Sequence, residues 1–218
     1  MDRQNPLSEA DLQLQQLANN AKMGLEKREQ ELLPTMATVF RIIDKKEVVK
    51  TLENGVNLRD AAEKDSRGAI NQRIEEVFEQ ALEKKLGKKP KFSRKTCIYA
   101  FPHDPRKTNT GYNFDSEHEK IILMNIDPRF CIVVDSADYT IAYNYLSREI
   151  SASGDQNVDI PNLALYAAED YWNKAISLSE YLEHMQNGTT DELEIRDPEV
   201  LIFAPIDRTA VKLVDSQP

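Results

Sequence analysis

From residue 8 to residue 87 the apolar positions recur at three and four, the spacing that gathers side chains on one face of a helix. Four helices are predicted there. Ser8 caps the first, which carries Leu12, Leu17, Ala21 and Leu25 and must stop or bend by Pro34. Residues 8–33 are rich in glutamine and thinly apolar, which reads either as an arm that packs on a partner or as a simply frayed segment. The second helix runs from about 35 to 53, with Met36, Val39, Phe40, Ile43 and Val49 on one side and Asn54-Gly55 as its stop. A short third helix follows Asn57 with Leu58, Ala61 and Ala62. The fourth has the clearest stripe, Ile70, Ile74, Val77, Phe78, Ala81 and Leu86, and ends at Gly87.

From Phe92 onward β-branched and aromatic runs are punctuated by Pro, Gly, Asn and Asp, the pattern of strands and turns. Strands are predicted at 96–101, 120–126, 130–134, 139–150, 200–204 and 210–214. Asp127-Pro128-Arg129 reads as a hairpin turn joining the second and third of these. One helix interrupts them, from about Pro161 to Met185, with Gly188 as its stop. The expected fold class is α+β: an N-terminal helical region over 1–87, a basic connector over 88–95, and a mixed or antiparallel sheet domain over 96–218 packed with the one long helix.

Charge divides the chain in the same place. Seven of the twelve residues from 84 to 95 are basic, Lys84, Lys85, Lys88, Lys89, Lys91, Arg94 and Lys95, in a protein of 218 residues whose net charge is −9. The flanking halves are both acidic. Such a run suits phosphate, an acidic protein surface, or solvent alone, and a long nucleic acid would be repelled by the acid on either side.

The composition, 40% hydrophobic and 30% charged, is that of a globular protein, and no apolar run is long enough to span a membrane. With no signal-peptide pattern at Met1–Pro6, an intracellular, cytoplasmic location is the expectation, with no membrane partner. Cys97 and Cys131 sit inside apolar runs and read as inert core thiols.

Motifs for chemistry are sparse. Leu52 to Gly55, Leu58 to Ala62 and Arg67 to Phe78 loosely resemble a helix-turn-helix, which would offer Arg67, Asn71, Gln72 and Arg73 to bases. Asp65-Ser66 stands where the turn glycine and its apolar follower belong, and Glu75, Glu76, Glu79 and Glu83 crowd the same helix. The run from Phe130 through Asp135 and Asp138 to Thr140 superficially resembles the haloacid dehalogenase signature, with Asp155 and Asp159 imitating its later acids. Its first acids are three apart instead of two, the later pair follows too soon, and no alternating strand-helix core surrounds them. Those acids are read as turn residues, and no family is assigned.

His103, His118 and His184 are too scattered for a short metal motif, so neither a metal nor a cofactor is expected. Residues 103–113 form the longest turn-rich insertion of the strand half, and Arg106, Lys107 and Tyr112 make it a recognition loop. The expected function is therefore non-catalytic binding or assembly through the helical arm and the basic connector, with a protein partner or a second copy. A helix-turn-helix-like DNA-binding regulator is the alternative, and a metal-dependent hydrolase or phosphoryl-transfer enzyme the second.

Overall fold

The computed structural model describes residues 36–58, 68–107, 114–155 and 158–214. The predicted arm at 8–33, most of the short third helix, Arg67 and Tyr112 lie outside them. Among the described residues the protein is α+β, with two antiparallel sheets and five helices.

The first strand, β1 (Ala37–Asp44), occupies the segment whose spacing predicts a helix. Val39 and Ile43 satisfy a helical stripe and a two-residue alternation equally well, and Thr38, Val39, Ile42 and Ile43 are β-branched. Pairing decides between the two. β1 lies antiparallel to β3 (Glu119–Ile126) over its whole length, Ala37 opposite Ile126 and Asp44 opposite Glu119. Only the end of the segment is helical: a 3₁₀ turn at Lys45–Glu47 leads into α1 (Val48–Asn54), which ends at Gly55 as expected.

The other edge of β3 pairs with β7 (Val211–Leu213). A second sheet is ordered β2 (Ile98–Ala100), β6 (Pro198–Ile202), β4 (Cys131–Asp135), β5 (Ile176–Ser177). Phe40 and Phe101 join the two sheets through reciprocal backbone hydrogen bonds of 2.8 and 2.6 Å. The expected hairpin between β3 and β4 is not formed. Asp127 caps a single 3₁₀ turn at Pro128–Phe130, which carries the chain from one sheet into the other.

β4 is buried on both faces. Ile132 and Val134 enter a core with Phe78, Leu146 and Trp172, whereas Cys131 and Val133 enter a second core with Val39, Met124 and Tyr181. The alternation of side chains along one strand thus separates two cores. Three helices cover the first face: α2 (Gly68–Leu86), α3 (Ser136–Ser153) and α4 (Asn162–Asn173). The three-stranded sheet and α5 (Leu178–Asn187) enclose the second.

α2 and its stop at Gly87 match the expected stripe, with Ile74, Val77, Phe78, Ala81 and Leu82 buried. α3 replaces the predicted strand at 139–150. The Asp135 carboxylate accepts from the Ala137 amide to cap it, and Asp138, Ala142, Leu146 and Ile150 are buried at four-residue spacing. The predicted helix at 161–185 is two helices. Ser177 accepts from the Glu180 amide and restarts the helix after Ala175 and Ile176 have been drawn into the core.

The basic segment is packed against this core rather than suspended between two bodies. Phe92 is buried with its ring 4.8 Å from that of Phe203, and α2 shares its core with Cys97, Leu201 and both later helices. No helix among the described residues is long and apolar enough to cross a membrane.

Candidate functional site

The seven basic residues do four different things. Lys84 and Lys85 close the last turn of α2 and are held by α4: the Lys84 ammonium lies 2.5 Å from Glu169, and Lys85 donates to the Trp172 carbonyl at 2.5 Å. Burial lowers the pKa of Lys85, and the carbonyl at the end of α4 is a favourable place for its charge. Lys88, Lys89 and Lys91 are exposed on the turn that follows. Lys95 turns back onto α2 to meet Glu79 at 3.4 Å.

Arg94 is in the core. Its side chain is 5% exposed, and its guanidinium carbon lies 4.3 Å from the ring centre of Tyr139, 4.9 Å from Tyr171, 5.0 Å from Tyr99 and 5.3 Å from Phe78. Glu75 and Glu199 approach it at 3.5 and 3.4 Å, close enough for charge pairing though long for hydrogen bonds. Burial opposes the charge, but Tyr99, Glu75 and Glu199 outweigh it and hold the pKa above the ordinary arginine value. Four aromatic faces and two carboxylates thus neutralise this cation inside the chain. Its place was legible only in Phe92, an aromatic residue two positions earlier inside a lysine run.

Both cysteines are buried and free. Cys97 donates to the Arg94 carbonyl at 3.1 Å, and burial pushes its thiol up to about 12; burial raises Cys131 as well.

At the end of β4, Asp135 accepts from the amides of Ala137 and Asp197, and the Ser136 hydroxyl donates to Asp197 at 2.6 Å. Asp138 meets Lys174 at 3.0 Å, and Lys174 also reaches Asp170 at 3.2 Å. Burial raises the pKa of Asp138 against the pull of Lys174. Burial also lowers that of Lys174, but its two carboxylates more than compensate. The acids of the signature-like run therefore cap a helix and hold a lysine. Asp155 and Asp159 are exposed after α3. Among the described residues no group of three His, Cys, Asp or Glu side chains is arranged to hold a metal ion.

In the predicted recognition loop Arg106 forks onto Asp104 at 3.0 and 2.7 Å, which lowers the pKa of that carboxyl, and Lys107 is exposed. His103 is half-buried beside them, its pKa lowered by burial. Of the proposed base-reading residues on α2, Gln72 is exposed and Asn71 half-buried, while Arg73 is tied to Glu76 at 2.7 Å one turn along the helix. No family model, curated protein or solved structure matches this chain.

Proposed function

We propose that this chain is a non-catalytic binding or assembly protein, and that it meets an acidic partner protein at the lysine-rich turn after α2. The observation that carries this reading is the division of labour within the basic run. Lys84, Lys85, Arg94 and Lys95 are engaged by the fold, whereas Lys88 and Lys89 are exposed on a turn anchored at both ends. An anchored turn presents its charges with little conformational entropy left to lose on binding. Protein is favoured over nucleic acid because the rest of the chain is acidic, and Arg73 on α2 is already paired.

The test is recovery of the native complex with the full chain and with a Lys88→Gln, Lys89→Gln variant, at low and raised salt. A bound protein that is lost in the variant, and weakened in the parent by salt, is the expected result. Unaltered recovery by the variant would overturn the reading, and so would recovery of nucleic acid in place of protein.

A further inference from the structure

Eight large apolar side chains are exposed among the described residues, and four of them fall on one pair of helices. Ile141 and Tyr145 stand one turn apart on α3; Leu163 and Tyr166 stand one turn apart on α4. Tyr166 is 66% exposed and Leu163 51%, too much for side chains that merely border a core.

The two helices are antiparallel neighbours. Lys174, at the end of α4, reaches Asp138 in the first turn of α3, and Ala142 and Leu146 share a core with Ala164 and Ala168. On α3, Ile141, Tyr145 and Arg148 follow at offsets of four and seven; on α4, Leu163, Tyr166 and Asp170 follow at three and seven. Both stripes lie outside the buried faces. Counting from the Asp138–Lys174 contact at about 1.5 Å per residue places Ile141 level with Asp170, and Arg148 level with Leu163. The apolar patch therefore ends in the exposed Arg148 on one side and, on the other, in the exposed Asp170, whose carboxylate also lies 3.2 Å from Lys174.

We infer that this face is an isologous homodimer surface, and that its occupant is a second copy of this chain. A two-fold axis through the patch centre lays the apolar stripes of the two copies together. It also sets each Arg148 against Asp170 of the second copy, twice over. Opposite charges at opposite ends of one apolar patch are an arrangement that a two-fold axis turns into a complementary pair. α4 is about 18 Å long and neighbouring helices lie about 9 Å apart, so the face sits at the low end of specific interfaces and the dimer is reversible. This inference uses a surface distinct from the lysine-rich turn and does not depend on it.

Sedimentation equilibrium of the full chain, from low micromolar to submillimolar concentration, tests it. The parent mass rises toward twice that of the chain. Tyr166→Glu moves the transition about tenfold or more higher in concentration. Arg148→Asp weakens association as well, and adding Asp170→Arg to it restores association by exchanging the two ends of each pair. Both positions are exposed, and far-ultraviolet circular dichroism identifies any variant whose fold has changed. A parent that stays monomeric throughout overturns the inference. So does a dimer that Tyr166→Glu leaves untouched, or an Arg148→Asp defect that the second exchange fails to repair.

Discussion

The guanidinium carbon of Arg94 lies 4.3 Å from the centre of the Tyr139 ring, which joins the segment entering the second sheet to the first turn of α3. Phe78 from α2 and Tyr171 from α4 face the same cation, so all three helices of that layer converge on one side chain. Glu75 and Glu199 bring α2 and β6 to the same point.

Removing this cation strands two carboxylates and empties the space between four rings. Arg94→Ala is expected to cost about 3–5 kcal/mol, the scale for breaking a buried ion pair from one side. Arg94→Lys keeps the charge but loses the planar stacking, and should cost less, about 2 kcal/mol. Urea unfolding of both variants checks the order. A lysine variant as damaged as the alanine one would mean that packing, not charge, holds the site together.

Glu199 gives the site a pH signature. Burial raises its pKa above the ordinary carboxylate value, Arg94 opposes the shift, and Glu75 and Asp197 reinforce it. A group whose folded pKa exceeds its unfolded one favours folding most when protonated. Its contribution is complete below the unfolded carboxylate pKa and is lost as pH rises through the raised folded value. Stability measured from acid to neutral pH for the parent and Glu199→Gln should therefore show the parent's relative stability falling as pH rises. A parent that gains on the variant over that interval would reverse the sign of the argument.

Gly55 has φ +76° and ψ −162°, and a Cβ there would stand 2.2 Å from the Ile206 carbonyl oxygen. That carbonyl accepts from the Val56 amide at 2.9 Å, in a bridge that ties the end of α1 to the segment before β7. Gly55→Ala should cost clearly more than Gly154→Ala, whose Cβ would meet open space and whose cost is the left-handed backbone alone, about 1 kcal/mol. Denaturant unfolding gives the comparison, and hydrogen exchange at Val56 should speed up only in the first variant. Equal losses would show that the bridge yields freely.

Local signals were reliable where one pattern excluded the others. The α2 stripe, its stop at Gly87, the α1 stop at Gly55 and the strand character of β3, β4 and β6 follow from residue spacing and turn chemistry, because each is set by neighbours within a few positions. Residues 37–44 satisfied two periods at once, and only the eight-residue ladder with β3 made them a strand. Residues 136–153 held strand-forming side chains, yet the cap at Asp135 and the space above the second sheet made them a helix. The candidate surfaces divide in the same way. A lysine-rich run can be read directly, since charge is a property of the residues themselves. Which of its members face solvent cannot be read, because Arg94 is withdrawn by Glu75, Glu199 and four rings that lie from five to over a hundred positions away. Burial and pairing depend on contacts between distant segments, and those contacts exist only once the chain has folded.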